Sequence, residues 1–379
     1  MNTTLLHLSL IDQIGPVAIQ KIVAYVDHAK LEELYDYHVS DFITRCGLTE
    51  LQAQRVVDGL KDKALLEQEL TLIEKHKVQV ITLFDNAYPK QLKEIHMPPI
   101  AVYIRGGTIA CAEKSIAIIG SRLADRYGQR IIDTLVPPLV AHDWVIVSGG
   151  ALGADTMAHQ KTVEVGGKTV VVLGSGLLQL YPWKNKRLFD QVVASGGALV
   201  SAFPLMMQPL PGHFPARNRI IAGLSRGCIV VQAAQKSGAR ITAEFALEQG
   251  RNVFAVPGIF DDPLSMGCHK LIADGAQLIT SVDDIFEAYG EITASQETVA
   301  ASAEIAQQMR IPESKKAPIV PAEPSTPQAK IVRACHIPRS LDYLTTYTSL
   351  SFSELQTMLF DLQLSGLIEQ DFTGQWVAL

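Results

Sequence analysis

The sequence has few cysteines, and none of them form a closely spaced pair. The five cysteines are Cys46, Cys111, Cys228, Cys268 and Cys335. A pair separated by two residues, as in zinc and redox motifs, is absent. An odd number of scattered cysteines is typical of reduced thiols. We therefore expect neither a disulfide framework nor a metal site.

Long uninterrupted apolar runs are also missing. The longest stretch without Lys, Arg, Asp or Glu covers residues 191–216, and several glycines and prolines interrupt it. A membrane-spanning helix needs about 20 predominantly apolar residues. The opening residues, MNTTLLHLSLIDQ, place no basic residue ahead of the apolar ones, unlike a secretion signal. We expect a soluble, cytoplasmic protein without membrane contact.

The chain lacks an excess of positive charge. Its 379 residues include 33 Lys and Arg against 39 Asp and Glu, a formal net charge of −6. This balance excludes a uniformly basic nucleic-acid coat, although it permits a local basic patch. The apolar fraction of 47% excludes a chain that is disordered throughout. The length predicts two or three domains of about 150 residues each.

The pattern of apolar residues divides the chain into four segments. We place them at residues 1–68, 69–286, 287–328 and 329–379. The first predicts short helices in two helix–turn–helix units, with turns at Gly15-Pro16 and at Gly47. Such pairs can grip a DNA backbone, but they more often pack or bind partners. The third, rich in Pro, Ala and charge, predicts a flexible linker.

The second segment alternates Val- and Ile-rich runs with helical stretches. Strands are predicted at residues 78–83, 101–106, 115–120, 144–149, 169–174, 198–203, 228–233, 252–258 and 276–281. Helices are predicted at about 125–142, 153–166, 185–196, 216–226, 239–250 and 268–275. Buried strands that alternate with helices predict an α/β fold with a doubly wound, mostly parallel sheet. Ligands bind such sheets at the carboxyl ends of the strands, where the strand order reverses.

The fourth segment predicts a small winged helix. Three helical stretches precede a predicted β-hairpin around Thr373-Gly374. A helix that reads duplex DNA is normally basic, whereas residues 351–370 contain Glu354, Asp361 and Glu369 and no Lys or Arg. We therefore favour protein contact over duplex binding for this module.

Small residues follow four of the predicted strands. They are Gly120-Ser121, Gly149-Gly150, Gly174-Ser175-Gly176 and Ser237-Gly238. Glycines allow close backbone approach and helix N-termini hold anions, so four such ends predict a phosphate-binding rim. Tight turns of any doubly wound fold would give the same glycines. The dinucleotide fingerprint GxGxxG is absent, and Gly167-Lys168-Thr169 is not a P-loop because it precedes a strand.

Residues 184–240 concentrate positive charge. They contain eight Lys and Arg, and Asp190 is their only acidic residue. The aromatic residues Tyr181, Trp183 and Phe214 lie in or beside this basic segment. Arginines for phosphates together with aromatic rings for exposed bases are typical of single-strand recognition. Chance clustering on a solvated face is the alternative.

Candidates for catalysis are few. Asp155 and His159 stand four residues apart on one predicted helix and could form an acid–base pair or two metal ligands. A structural role is the simpler explanation. The motifs GxSxG and HExxH are absent.

Six strings in order make the chain resemble a known family, DNA-processing protein A (DprA/Smf). They are AIIGSR (117–122), SGGALGADTMAH (148–159), VLGSGLLQLYPWKN (172–185), FPARNRIIAGLSRG (214–227), SGARITAEFALEQGRNVFAVPG (237–258) and GCHKLIADGAQLI (267–279). The resemblance implies an extended Rossmann-like domain at 69–286, a SAM-like helical domain at 1–68 and a winged helix at 329–379. It implies a cytoplasmic, homodimeric protein that binds single-stranded DNA, protects incoming strands and loads RecA during natural transformation, without catalysis or a cofactor.

The resemblance also assigns site residues. It places Gly120, Ser121, Arg122, Phe214, Arg217, Asn218, Arg219 and Gly238 in a single-stranded-DNA site. From the glycine-rich strand ends and the basic segment, we add Ser148, Gly149, Gly150, Lys184 and Arg240 to the predicted site. His269 and Leu278 match family positions at the dimer contact. The chain departs from the family pattern at Leu152, Ala202 and Gln232, where many members have an arginine and two glutamates. These departures change the charge around the site.

Two other functions remain open at this point. A nucleotide-processing enzyme would use the same rim for a mononucleotide, with Asp155 and His159 as candidates for chemistry. It would be stabilised by a mononucleotide, whereas a DNA-binding protein would prefer oligomers. An interaction scaffold would act through the terminal modules, so deleting both would abolish its activity.

Overall fold

The computed structural model describes residues 1–107, 109, 114–291, 326–348, 350–370 and 375–378. The chain forms two compact units, Met1–Ala294 and Ser295–Leu379. Most of the predicted linker at 287–328 and the predicted hairpin turn at Thr373-Gly374 lie outside the described residues. In the ranges described, no helix is long and apolar enough to cross a membrane.

The first unit opens with short helices. They are α1 (Thr3–Leu10), α2 (Pro16–Tyr25), a 3-10 helix (His28–Asp36), α3 (Val39–Thr44), α4 (Glu50–Lys61) and α5 (Lys63–Lys75). Pro16 begins α2, where its missing N–H costs no helical hydrogen bond. Gly47 has φ +64°, which supports the turn between α3 and α4. Both predicted helix–turn–helix units are therefore present.

These helices are not a separate compact unit. Their apolar side chains, such as Leu5 and Phe42, belong to the same buried cluster as Val102 and Val200 of the sheet. The boundary predicted between residues 68 and 69 falls inside α5. The helical segment therefore packs against the sheet as part of the first unit.

All nine predicted strands occur in one sheet. They are β1 (Gln79–Thr82), β2 (Ala101–Gly106), β3 (Ser115–Ile119), β4 (Val145–Ser148), β5 (Thr169–Leu173), β6 (Ala198–Ser201), β7 (Gly227–Val230), β8 (Asn252–Ala255) and β9 (Gln277–Leu278). Their order is β1-β2-β6-β5-β4-β3-β7-β8-β9. Seven strands, β3 to β9, pair in parallel, and β1 and β2 add an antiparallel edge.

Helices cover both faces of this sheet. They are α6 (Lys90–Lys93), α7 (Arg126–Ala141), α8 (Ala154–Glu164), α9 (Lys186–Ala194), α10 (His213–Gly223), α11 (Gly238–Glu248), α12 (Met266–Ala273) and α13 (Asp283–Ala288). The central strands β3, β4 and β5 are buried along their whole length. Val- and Ile-rich runs suit such positions because both faces of each strand pack against apolar side chains. The predicted α/β, doubly wound fold is confirmed.

The strand order reverses between β3 and β7. The chain proceeds from β3 outward through β4 and β5 on one side, and later returns to place β7 on the other side of β3. The loops after β3 and β7 therefore diverge and leave a crevice at the carboxyl edge. This crevice is where the site lies.

Among its described residues, the second unit contains three helices followed by two strands. Its elements are α14 (Pro327–Ala334), α15 (Leu341–Thr348), α16 (Phe352–Leu364), β10 (Ile368–Gln370) and β11 (Trp376–Ala378). The two strands pair antiparallel, and Arg339 bridges to Trp376. Leu355 and Leu359 of α16 are buried against Ile331 of α14. This is the order of elements predicted for residues 329–379, and the winged helix stays a prediction.

Candidate functional site

A cavity of about 620 Å³ opens at the strand-order reversal. The turn after β3 forms one wall with Gly120, Ser121 and Arg122, and the loop after β7 forms another with residues 234 and 236–239. The start of α10 closes a third side with Phe214, Arg217 and Asn218. The sequence prediction of a ligand site at the carboxyl edge therefore coincides with this cavity.

Close backbone packing shapes the wall beside β3. A Cβ at Gly120 would lie 2.7 Å from the Cβ of Ala154 and 3.0 Å from the carbonyl oxygen of Gln232. The amide of Ser121 donates to that same carbonyl at 2.7 Å. Glycine at position 120 therefore lets the turn sit tightly between α8 and the end of β7.

The N-terminus of α11 faces the cavity. Ser237 caps the helix by accepting a hydrogen bond from the amide of Ala239. A Cβ at Gly238 would meet no atom within 4 Å, so packing does not require glycine there. The first turn of an eleven-residue helix exposes amides and a partial positive charge, both of which favour an anion.

Three cationic side chains line the cavity. Arg122 and Lys236 are solvent-exposed, and neither makes an ion pair among the residues described. Arg217 is only 5% exposed, and its Nη1 donates to the carbonyl oxygen of Val172 at 3.0 Å. Two exposed cationic side chains and one buried, hydrogen-bonded cationic side chain therefore line the same cavity.

Phe214 lies between two of these cations. The guanidinium carbon of Arg122 is 5.8 Å from the centre of the Phe214 ring, and that of Arg217 is 5.9 Å away. Tyr181 packs against the same ring with centroids 5.7 Å apart. Arginine near an aromatic face is electrostatically favourable and presents a flat, cationic surface. Such a surface suits a nucleobase with its phosphate.

Asp155 and Arg217 form a buried charged pair. Burial raises the pKa of Asp155, and the charge of Arg217 opposes that rise. Burial lowers the pKa of Arg217 to about 10, while Asp155 opposes that decrease. The Asp155 carboxylate also accepts the amides of Gly149 at 3.1 Å and Ala151 at 3.3 Å. It therefore fixes the loop after β4, and its charge favours the charged form of the buried Arg217.

His159 does not share the cavity with Asp155. It is fully buried, does not line the cavity, and its Nδ1 is 2.7 Å from the Oγ1 of Thr169. Burial, followed by the nearby charge of Arg217, lowers its pKa to about 3. A histidine in that environment stays neutral and has no access to a substrate. The geometry therefore does not support an Asp155–His159 acid–base pair.

The structure brings only some of the predicted site residues together. Those that line the main cavity are Gly120, Ser121, Arg122, Phe214, Arg217, Asn218 and Gly238. Gly149 lines an adjoining side crevice with Arg122, Leu152 and Tyr181. A Cβ at Gly149 would overlap Arg217, so glycine is needed there for the buried arginine.

Five other predicted residues do not line the main cavity or the side crevice. Ser148 is fully buried and donates to the carbonyl of Ile118. Gly150, with φ +66°, packs under Val171 and Phe189. Lys184 is exposed beyond the crevice. Arg219 donates to the carbonyls of His96 and Met97, and Arg240 donates to the carbonyl of Gln235 and pairs with Glu244.

Sequence reasoning missed Lys236 as a cavity residue. It belonged to the basic cluster, but no motif distinguished it from Lys186 or Arg226. Its position between the end of β7 and the start of α11 was the available signal, because that loop flanks the strand-order reversal.

One departure from the family pattern, Gln232, has a local explanation. Gln232 makes two hydrogen bonds with Asp125. Its Nε2 donates to the Oδ1 of Asp125 at 3.1 Å, and its Oε1 accepts from the backbone amide of Asp125 at 3.2 Å. A glutamate there would face a second carboxylate. Leu152 lines the side crevice and is 40% exposed. The structure gives no separate role to Ala202.

Metal ligation is not supported by side-chain grouping. Within the part of the chain that the structure describes, no three His, Cys, Asp or Glu side chains are placed to hold an ion. The four described cysteines, Cys46, Cys228, Cys268 and Cys335, are all buried and unpaired.

Comparisons with known proteins place this geometry in context. Residues 79–290 match a protein family described as DNA recombination-mediator protein A. The DNA processing protein DprA of Streptococcus pneumoniae is 43% identical over 212 residues, which are 56% of this chain and 74% of that protein. Protein Smf of Escherichia coli is 40% identical over 245 residues, 65% of each chain.

Solved structures give the same result. The X-ray structure of DprA from Streptococcus pneumoniae has a TM-score of 0.67 at 34% identity, covering 76% of this chain and 98% of that one. DNA processing protein A from Helicobacter pylori, whose structure is described in terms of its single-stranded DNA binding mode, has a TM-score of 0.51 at 29% identity. That match covers 56% of this chain and 95% of the Helicobacter chain.

Proposed function

This chain belongs to the DNA recombination-mediator protein A family, also named DprA/Smf, and from that membership we propose that its cavity binds single-stranded DNA. One observation carries the proposal: Arg122, Lys236 and the buried Arg217 converge with Phe214 on one cavity at the strand-order reversal. Arg122 and Lys236 would neutralise phosphates, the buried charge of Arg217 would add to the positive potential of the cavity, and Phe214 would stack a base. Single strands expose the faces of their bases, whereas a duplex hides them.

Backbone groups complete the proposed site. The turn at Gly120-Ser121 and the N-terminus of α11 at Gly238 would hold the sugar–phosphate chain through amides. Asn218 lies at this end too, with its Nδ2 3.5 Å from the carbonyl of Gly238. We do not assign phosphate contacts to Arg219 or Arg240, because other protein groups already engage them.

We propose that the protein acts by binding and not by catalysis. Asp155 is committed to two amides and to Arg217, and His159 is buried away from the cavity. The role we infer is that of the resembled family: it protects incoming single strands in the cytoplasm and loads RecA onto them during transformation or recombination. The described name of the family, a recombination mediator, supports this role.

We also propose a homodimer formed through α12 and β9. Strand β9 lies at the end of the sheet, and Leu278 within it is 45% exposed. His269 of α12 bonds Gly258, and the next residues along the chain, Ile259 and Phe260, are 73% and 91% exposed. Apolar side chains beside an unpaired strand edge are suited to a second copy of the chain.

Fluorescence anisotropy tests the proposed DNA site. A labelled strand of about 20 thymidylates should bind more tightly than its duplex, and Arg122→Ala should weaken binding roughly tenfold or more by removing one charge-assisted contact. Because Arg122 is exposed, the melting temperature of the Arg122→Ala variant should stay near that of the wild type. Arg130→Ala, an exposed arginine on α7, is the matched control. Preference for duplex, or stabilisation by a mononucleotide alone, would refute the proposal.

A further inference from the structure

Three aromatic rings extend from the cavity onto the surface. We call Phe214, Tyr181 and Trp183 the aromatic track. Phe214 lines the main cavity, and Tyr181 lines the side crevice next to it. Their ring centroids are 5.7 Å apart. Two residues further along the chain, Trp183 is 70% exposed, against 45% for Tyr181.

The backbone that carries Trp183 is firmly attached to the cavity wall. Trp183 begins a 3-10 turn that ends at Asn185 and leads into α9. Asn185 is buried, and its Nδ2 donates to the carbonyl of Gly150 at 2.9 Å and to the Oγ1 of Thr156 at 2.7 Å. The loop is therefore tied to the segment after β4, which also carries Gly149.

Exposure of the Trp183 indole has no packing explanation in the first unit. Tryptophan is the largest apolar side chain, and leaving it in water forgoes the burial that would stabilise the fold. Trp144 of the same unit is only 1% exposed. A fixed backbone that holds an exposed indole presents a preformed surface for a flat ligand.

Cations accompany the track at both ends. Arg122 lies 5.8 Å from the Phe214 ring centre, and the Nζ of Lys186 lies 5.9 Å from that of Trp183. Lys186 also pairs with Asp190 at 3.3 Å on the surface of α9, a contact that solvent weakens. A run of rings with a cation at each end suits a single strand, whose bases can stack while its phosphates contact the cations.

We propose that Tyr181 and Trp183 stack successive bases outside the cavity, so that the bound strand leaves towards the N-terminus of α9. This inference rests on the proposed function. The contact would be independent of base identity, because every base has a flat face.

Tryptophan fluorescence of the full chain tests the track. The probes are unlabelled oligothymidylate of about 20 nucleotides and a strand of equal length that lacks bases. Stacking of a base on the exposed indole should quench emission in the wild type, and the abasic strand should not quench it. Trp183→Phe should lose the quenching but keep most of the affinity, which separates Trp183 from Trp144 and Trp376.

Affinity supplies the second readout. Trp183→Ala should bind oligothymidylate at least about fivefold more weakly, as expected for the loss of one stacked base. Its salt dependence should match the wild type, because stacking releases no counterions. Phe360→Ala, which removes a 61% exposed ring from the second unit, is the control and should bind normally.

The outcomes separate the two proposals. If the wild type binds the strand but Trp183→Ala is unchanged and quenching is the same in Trp183→Phe, the track is rejected and the cavity site stands. If Trp183→Ala instead makes binding less dependent on salt, the substitution has removed a phosphate contact. The stacking role of Trp183 is then rejected. If the wild type does not bind the strand at all, both proposals fail.

Discussion

Single residues around the cavity divide into those that hold the protein together and those that are free to hold a ligand. Arg217 and Asp155 are both buried, and the charge of each favours the charged form of the other, so removing either should destabilise the fold. Arg122 and Lys236 are exposed and have no such role. A substitution of Arg217 therefore tests folding, whereas substitutions of Arg122 and Lys236 test binding.

His159 predicts a pH dependence of stability. Burial lowers its pKa in the folded protein to about 3, against 6.5 for an ordinary histidine. Below pH 6.5 the unfolded chain takes up a proton that the native state refuses, so stability is present above that pH and is lost as the pH falls towards 3. His159 alone should contribute a loss of about 1.4 kcal/mol per pH unit across this window.

Urea unfolding between pH 7 and pH 4 measures this contribution. His159→Asn keeps a side-chain amide that can reach Thr169 but cannot titrate. As the pH falls, the free energy of unfolding of the variant should decrease less steeply than that of the wild type, by about 1.4 kcal/mol per pH unit. Parallel declines in the two proteins would show that His159 is protonated in the native state or does not govern acid stability.

Sequence and structure differ at the residue scale for a physical reason. The motif containing Arg217, Asn218 and Arg219 predicts three ligand contacts in a row. On helix α10 consecutive residues point in directions about 100° apart, so Arg217 turns towards β5 while Arg219 turns towards His96 and Met97. The spacing of residues in the motif does not show which arginine donates its hydrogen bonds to carbonyls of the protein instead of to a ligand.

At the scale of elements, the ends of strands and the starts of helices determine the site. The sequence predicts all nine strands and six of the major helices because Val- and Ile-rich runs alternate with glycine-rich turns. Boundaries were less predictable: α10 begins at His213, before the predicted start at 216. Pro215 lies within its first turn, where a missing N–H is tolerated.

Gly238 offers a test of the helix N-terminus. Because a Cβ there meets no protein atom within 4 Å, Gly238→Leu should fold normally while its side chain occupies the space in front of α11. Single-strand affinity should fall by roughly tenfold or more, since the amides of the first turn become inaccessible.

Gly15→Leu is the control for this substitution. Gly15 stands immediately before helix α2, has an ordinary φ of −82° and has open space around its Cβ position, but it lies outside the cavity. Melting temperature and anisotropy should be measured for both variants. Unchanged binding by Gly238→Leu would remove α11 from the site.

At the scale of the whole molecule, the sequence predicts the fold class and order of segments, but not how the segments pack. Residues 1–68 carry helical periodicity, which gives no information on what lies across their apolar faces. In the structure Leu5 and Phe42 share a core with Val102 and Val200, and α5 crosses the predicted boundary. The side-chain pairing of Gln232 with Asp125 was equally invisible, since 107 positions separate them.

The cavity could be located from the sequence because fold topology dictates it. A doubly wound sheet places its ligand site at the strand-order reversal whatever the side chains are. The chemistry of the site needed the three-dimensional arrangement, because Lys236 and Tyr181 acquire their importance only from their neighbours.

The salt dependence of single-strand binding tests the central claim most directly. For single strands, the slope of log K against log salt concentration changes by about 0.7 for each phosphate contact. The double variant Arg122→Ala/Lys236→Ala should therefore have a slope smaller in magnitude by about 1.4 than the wild type, with an unchanged melting temperature. Equal slopes would mean that neither side chain contacts a phosphate, and would contradict a single-stranded-DNA site in this cavity.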